Sequence, residues 1–455
     1  MKLKSRLAVF GAKSAKKTMR LLKRQGTHLP GFIAKKIDKD ILTNIEKPEN
    51  IMVVTGTNGK TTTSNMIADV LEHIGIEFVS NRLGSNILEG VIATLLDSNK
   101  MLGGVNTKYG VFEVDELWST TILRHLKPKT LTITNLFQDS FERNANIYFV
   151  RKRIEQGIKN DVRLILNASD SISSNIEVEN DKVYFDVENI FDEEQRLDSK
   201  IEDMIYCPNC ETVIEWDFKR YHHIGKFHCP NCGFKNHKAD YLVTKYNKED
   251  NTITVLDRGV ERRLPLIQKI IESVYNQIAC YATLRENGFE YEQINAAMKQ
   301  MKVVESRFLS VPIGNKEVIS LVQKGYNPVA ISRIFDTISK IESKHKTIIY
   351  LNQDLQEKHM DHRSPGWSWA IDYKYINEDV DKMIILSNSA PQFVLSMMMD
   401  GFPQEKIQLV KSEEEIMDYI DFNKEETIFI SHDIERENIA QSTRVIELIK
   451  KRMGD

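Results

Sequence analysis

The stretch IMVVTGTNGKTTTSNMIADVLEHIG, from Ile51 to Gly75, constrains this chain more than any other. A short β-branched run meets a Gly-containing turn, then apolar residues at helical spacing that stop at Gly75, which predicts strand, loop, helix. An anion is the natural ligand of such a junction, because backbone N–H groups and the helix dipole converge there. Gly56 and Gly59 let the backbone approach a polyphosphate, Lys60 reaches its terminal phosphates and the Thr61 hydroxyl ligates Mg²⁺. The general pattern G-x4-G-K-[ST] wants glycine where Val54 stands, so Gly56-Thr57-Asn58-Gly59-Lys60-Thr61-Thr62 is a shortened form. A second strand ends Val111-Phe112-Glu113-Val114-Asp115-Glu116, at the carboxyl end where open α/β sheets bind ligands. Glu113 is therefore a candidate Mg²⁺ ligand, and Asp115 and Glu116 read as ordinary loop carboxylates.

Further apolar runs at Tyr109–Val114, Thr130–Leu136 and Val162–Leu166 alternate with helix-like stretches such as Glu142–Lys159, the rhythm of a mostly parallel α/β sheet. A helical stretch at Leu266–Asn287 leads to a second α/β rhythm. Its strand candidates are Val318–Val322, Thr347–Leu351, Lys382–Leu386, Ile407–Val410 and Thr427–Ser431, separated by helices at Pro328–Ser343, Pro391–Met399, Glu413–Asp421 and Asn438–Lys451. The 455 residues suffice for roughly three domains. We place a basic N-terminal segment at 1–48, a central domain at 49–300 and a C-terminal α/β domain at 301–455.

Residues from about 170 to 260 break the rhythm with acidic, turn-rich sequence, which reads as an inserted module. Within it Cys207-Pro-Asn-Cys210 and Cys229-Pro-Asn-Cys232 give C-x2-C-x18-C-x2-C, the spacing of a four-thiolate zinc ribbon spanning about 203–238. Four thiolates leave no open coordination position, so the zinc is expected to be structural. Lys219, Arg220, His222 and His223 keep a nucleic-acid reading of the ribbon open; His228 and His237 read as surface residues, and Cys280 as core.

The balance of 62 Lys and Arg against 65 Asp and Glu argues against bulk nucleic-acid binding. No run approaches the ~18 apolar residues of a membrane helix. Nine of the first 24 residues are basic and none acidic, with no apolar core of a secretory signal. The chain is expected in the cytoplasm. Its basic amphipathic start is a candidate contact for the inner face of the membrane, or a helix packed on its own domain with a solvated basic face.

TGTNGKTTT, Glu113, TITNLF at 132–137 and Tyr275-Asn276 together resemble the ATP-binding core of the Mur ligases. The ribbon inside that core and Leu29-Pro30-Gly31 narrow the resemblance to the MurT type, the Mur-ligase-like subunit of lipid II isoglutaminyl synthase. The resemblance implies a Mur-ligase central domain carrying the ribbon and a Rossmann-like C-terminal domain. It also implies ATP and Mg²⁺ as cofactors and amidation of the α-carboxyl of D-glutamate in the lipid II stem peptide through an acyl phosphate. Ammonia would come from a partner glutaminase of the class I amidotransferase, GatD type. Asn276 matches a family position near the nucleotide. Arg307 matches the Arg of a Gly-Arg pair whose glycine is Ser306 here, and Asn135, Asp139 and Arg143 match a segment lining the site.

The departures cluster. A family Lys-Asn-Pro motif reads Gln323-Lys324-Gly325, and the family pattern D-G-x-D-x-S-W-x-W-D becomes Asp361 to Ala370. The second aspartate of that pattern, which would complete the glutaminase's Cys–His pair, aligns with Ser364, a side chain with no charge to stabilise an imidazolium. Either Asp361 or Asp372 serves instead, or the chain is a divergent paralogue acting on another acyl substrate or regulating a partner.

Overall fold

The computed structural model describes residues 2–21, 28–82, 85–100, 103–138, 146–196, 198–301, 308–323, 325, 327–352, 365–376, 380–434 and 436–454. They form two units. The first comprises Met1–Phe137, Asn146–Leu197 and Glu202–Val303, and the second Gln138–Ala145, Asp198–Ile201 and Val304–Asp455.

In the first unit, helices α1 (Leu3–Leu21), α2 (Leu29–Ile37) and α3 (Ile41–Asn44) precede the sheet. The chain then runs β1 (Asn50–Thr55), α4 (Lys60–His73), β2 (Phe78–Ser80), α5 (Leu88–Ser98), β3 (Tyr109–Glu113), α6 (Ser119–Leu126), β4 (Thr130–Ile133), α7 (Ile147–Glu155), β5 (Arg163–Asn167) and β6 (Lys182–Val187). A hairpin of β7 (Glu215–Tyr221) and β8 (Ile224–His228) stands apart. Strands β9 (Tyr241–Asn247), β10 (Thr252–Asp257) and β11 (Val260–Pro265) follow, then α8 (Ile271–Glu286) and α9 (Tyr291–Met298).

The sheet order is β11-β10-β9-β6-β5-β4-β1-β3-β2, parallel from β2 through β9 and antiparallel beyond. Strand β1 sits deep in it because Ile51, Met52, Val53 and Val54 are all buried, as a parallel strand covered on both faces requires. It lies between β3 and β4. The connections after β1 and β4 diverge there, and that switch point is where an open α/β sheet leaves a crevice at its carboxyl edge.

One expectation is corrected. Residues 170–260 are not one inserted module, because β6 pairs in parallel with β5 and β9 with β6, so these segments extend the main sheet. The turn-rich sequence hid this: β9 takes its parallel partner, β6, from the far side of the ribbon. The cysteine-bearing region carries a separate two-stranded sheet, β7-β8.

The second unit is built from β12 (Phe308–Ile313), β13 (Lys316–Gln323), α10 (Pro328–Lys340), β14 (Lys346–Asn352), β15 (Lys382–Ser387), α11 (Ala390–Met399), β16 (Ile407–Leu409), α12 (Glu413–Ile416), β17 (Glu426–Asp433) and α13 (Arg436–Met453). Its sheet order is β12-β13-β17-β14-β15-β16, with only β12 antiparallel, a Rossmann-like layout. Alternation in β17 feeds two cores: Phe429 packs with Phe335, Tyr350 and Phe393, while Ile428 and Ile430 pack with Ile349, Leu351 and Val445. Helix α10 starts where the sequence signals it, with Asn327 Oδ1 accepting from Ala330 N at 2.9 Å and Pro328 in the first turn.

Candidate nucleotide site and metal centre

The loop after β1 is held from three sides. Gly56 has φ +127°, and a Cβ there would stand 2.3 Å from Thr134 Oγ1. Gly59 has φ +83°, and its Cβ would stand 2.1 Å from Asn276 Oδ1, so both glycines are demanded by backbone conformation and close approach. Asn135 clamps Asn58 twice: its Oδ1 accepts from Asn58 N at 2.9 Å and its Nδ2 donates to Asn58 O at 3.0 Å. Thr57 Oγ1 accepts from Phe137 N at 2.9 Å. Helix α4 then opens with no acidic residue in its first turn, leaving its positive end for an anion. Thr61 is exposed and Thr62 half-buried at this end.

Lys60 is buried and folded back on its own loop, donating to Gly56 O and, at 3.2 Å, to Thr57 O. Its ammonium also pairs with Glu116 Oε1 at 3.2 Å. Burial pulls the ammonium's pKa down, but Glu116, Glu113 and Asp115 together outweigh it and hold Lys60 protonated above its usual range. Glu116 is thus no ordinary loop carboxylate: it is 1% exposed and is the counter-ion of the loop lysine. Asp115 is buried as well, its Oδ1 accepting from Leu117 N at 3.1 Å. A lone pair of carboxylates at a strand end carries no signal of which one turns inward, so the sequence missed this pair.

Glu113 is half-buried at the end of β3, with Asn86 Nδ2 donating to its Oε1 at 2.8 Å. Asn81 brackets its backbone, donating to Glu113 O at 2.8 Å and accepting from Glu113 N at 2.9 Å. The structure therefore brings Gly56 to Thr62, Glu113 and Asn276 together, and adds Glu116, Asn81, Asn86 and Asn135. Oxygen donors at Thr61 and Glu113 beside a phosphate cradle fit a hard cation such as Mg²⁺. Asp139, Arg143, Arg307, Asp361 and Ser364 lie outside the described residues. Asp372 is fully buried, its Oδ1 accepting from Lys200 N at 2.7 Å, and burial raises its carboxyl to about 6. A carboxylate so enclosed is not presented to a partner's histidine.

The four cysteine sulfurs lie within 4.8 Å of one another, with Cys207–Cys232 and Cys210–Cys229 each 3.5 Å apart. Zn–S bonds of about 2.3 Å make a tetrahedral edge of about 3.8 Å, so the quartet fits zinc. The two knuckles repeat one pattern. Glu211 N donates to Cys207 O at 2.9 Å, and Gly233 N to Cys229 O at 3.0 Å. Both donors have positive φ, 60° and 72°.

The basic residues of the β7–β8 hairpin are engaged internally. Lys219 pairs with Glu202, and Arg220 with Glu193 at 3.0 Å and with the carbonyl oxygens of Val187 and Glu188. His223 is buried between Asp170 and Asp203, 3.3 and 3.2 Å from its ring nitrogens, in contacts that are ionic rather than in-line hydrogen bonds. Burial pulls its pKa down, but the two aspartates win and raise it to about 10. Asp170 also accepts from Leu136 N at 2.8 Å, and the Phe137 ring lies 4.6 Å from that of His223. The hairpin's turn thus packs under the segment that holds the phosphate loop. His228 and His237 are half-buried, the latter stacked on Tyr184; Cys280 is buried.

Comparison with known proteins places this geometry. The Mur ligase middle domain model matches residues 54–232, and the MurT ligase C-terminal model matches residues 324–433. The chain is 28% identical, over 86% of its length and 87% of the other's, to the lipid II isoglutaminyl synthase (glutamine-hydrolyzing) subunit MurT of Staphylococcus aureus (strain COL). It is 27% identical, over 92% of each chain, to the subunit of that name in Streptococcus pneumoniae (strain ATCC BAA-255 / R6). Both domain matches and the similarity along most of the chain are what a divergent relative of the MurT subunits shows. The Mur ligase middle domain match and the similarity to MurT subunits indicate an ATP-dependent ligase. The fold agrees: a pseudomurein peptide ligase type C from Methanothermus fervidus superposes with TM-score 0.65 at 21% identity, covering 90% of this chain and 81% of that one.

Proposed function

We propose that this chain is the ATP-using subunit of a glutamine-hydrolysing synthase that amidates the α-carboxyl of D-glutamate in the lipid II stem peptide. The observation that carries the reading is a Mur-type phosphate loop and a MurT-type C-terminal domain in one chain that aligns over most of its length with two such subunits. A carboxylate oxygen of the substrate attacks the γ-phosphorus of ATP, ADP leaves, and an acyl phosphate forms. Ammonia then attacks the acyl carbon through its lone pair, phosphate departs with the C–O bonding electrons, and the nitrogen loses a proton to give the amide.

The chain's own residues supply position and charge. Gly56 to Thr62 cradle the phosphates, with Asn135 and Asn276 fixing the loop from either side. Lys60, kept protonated by Glu116, exchanges its loop carbonyls for phosphate oxygens. Thr61 and Glu113 hold Mg²⁺, with Asn86 aiming the carboxylate; when bound, the cation neutralises phosphate charge. Arg307 supports the acyl-transfer step. Zinc closes the ribbon without entering the chemistry. Ammonia comes from a class I glutaminase partner of the GatD type, and Asp361 serves that partner's Cys–His pair in place of the aspartate aligned with Ser364.

The test is ATP-dependent amidation of lipid II by the purified chain, with free ammonia and with glutamine plus the glutaminase. Activity under both regimes is expected. Asp361→Asn is expected to spare the ammonia reaction and abolish the glutamine-driven one. The second reading, a Mur-ligase-like paralogue acting on another acyl substrate or as a regulator, draws on Gln323-Lys324-Gly325, Ser364 and the enclosure of Asp372. Inactivity in both regimes by a chain that still binds ATP and zinc would favour it.

A further inference from the structure

Helix α1 is packed inside out. Its buried face consists of Ser5, Ala8, Val9 and Ala12, all 0% exposed, whereas Leu3, Leu7, Phe10 and Leu21 are 75%, 56%, 55% and 78% exposed. At about 100° per residue those four large side chains fall within about 40° of a single line, opposite the buried face. Leu3, Leu7 and Phe10 make a contiguous stripe of roughly 10 Å, and Leu21 resumes the line beyond Ser14 and Lys17. A folded protein normally turns such residues inward; here the small ones fill that role. The helix is also firmly seated rather than a loose tail. Ser5 Oγ donates to Asp38 Oδ2 at 2.6 Å, and a Cβ on Gly11 would stand 3.0 Å from Ile37 Cδ1. Helix α2 in turn lies so close to α5 that a Cβ on Gly31 would stand 1.8 Å from Glu89 O.

Helix α2 carries two more exposed apolar side chains, Leu29 at 43% and Phe32 at 40%, and Lys36 Nζ lies 4.9 Å from the Phe32 ring centroid. Charge completes the pattern. Residues 1–37 contain 11 Lys and Arg and no Asp or Glu. Asp38 is engaged by Ser5 and Asn44, Glu89 by Lys35 at 2.7 Å and Asp97 by Lys16.

An apolar stripe flanked by charge of a single sign, on a seated helix, is the arrangement that lies in the plane of a membrane interface. We propose that α1 and α2 form a docking surface for an anionic phospholipid bilayer. Leu3, Leu7, Phe10 and Phe32 enter the acyl–headgroup boundary, and the flanking lysines and arginines meet the lipid phosphates. A protein partner would supply acidic groups to answer the lysines and apolar groups to answer the stripe; one anionic bilayer supplies both. This inference stands independently of the reaction proposed above, since it is read by vesicle binding without substrate.

The experiment is flotation of the full chain with phosphatidylcholine vesicles and with mixed phosphatidylcholine–phosphatidylglycerol vesicles. Flotation with the anionic vesicles alone, weakening as salt rises, is expected. Leu7→Ser with Phe10→Ser should weaken it by about tenfold or more, while zinc content and nucleotide binding, which report the fold, stay unchanged. Lys2→Gln with Lys4→Gln and Arg6→Gln should weaken it as well. No flotation of the unaltered chain, equal flotation with neutral vesicles, or full binding by the Leu7–Phe10 variant would overturn the proposal. So would a Leu7–Phe10 variant that keeps vesicle binding and loses the glutaminase, which would make the stripe a protein interface.

Discussion

At the scale of single residues, two buried ionic clusters, Lys60–Glu116 and Asp170–His223–Asp203, are announced by no local pattern. On the proposed function Lys60 meets the terminal phosphates, and its removal also leaves Glu116 buried without its counter-ion. Lys60→Ala should therefore lower ATP turnover by at least about a hundredfold and destabilise the first unit by about 3 kcal/mol, read by ADP release and by denaturant unfolding. His223 makes a prediction about pH. Its folded pKa, about 10, exceeds the unfolded value near 6.5, so its stabilisation is fully present below about pH 6.5 and is lost as pH rises toward 10. Unfolding midpoints should fall across that window, and His223→Gln should be less stable at neutral pH and show a flatter alkaline limb. An unchanged limb would remove His223 from this role. The sequence made the loop residues legible because their spacing is local and their chemistry is narrow. Glu116, Asn81, Asn86 and the Asp170–His223–Asp203 cluster were not legible, because each depends on partners brought in from distant segments by the sheet.

Among elements, the ribbon and the phosphate loop form one mechanical assembly. The hairpin turn at His222-His223 touches Phe137 and Asp170, and Phe137 N is bonded to Thr57. Thiolates must be deprotonated to hold zinc, so a chelator or mild acid should release it. Cys207→Ser should lose zinc and, through the hairpin, weaken nucleotide binding several-fold, measured by metal analysis and calorimetry on one preparation. Full zinc stoichiometry in that variant would contradict the assignment; zinc loss with unchanged nucleotide affinity would uncouple ribbon from loop. Gly59→Ala combines a left-handed backbone with a collision on Asn276, and should cost about 1–3 kcal/mol at the loop together with most nucleotide affinity. Periodicity located β1, β3, β4, β5 and the parallel strands of the second unit, whose apolar runs are continuous. It did not reveal that β6 and β9 extend the main sheet, since their register is set across the ribbon insertion rather than along the chain. Strand β12, an antiparallel edge at the start of the second unit, likewise carried no separate signal.

For the whole molecule, the Mur-ligase-like architecture follows from pieces that agree: the loop, the ribbon that stands outside the central sheet between β6 and β9, and the C-terminal match. On the proposed function the departures at Gln323 to Gly325 and at Ser364 concern the partner and the substrate rather than the use of ATP, so ammonia-driven and glutamine-driven amidation are separable. The proposed function stands on activation of a carboxylate as an acyl phosphate. Heavy oxygen followed from the D-glutamate α-carboxyl of labelled lipid II during ATP-dependent amidation with ammonia reports that step. Transfer of one labelled oxygen into the released inorganic phosphate is predicted. Amide formation with all label retained in lipid II and none in phosphate would contradict the account.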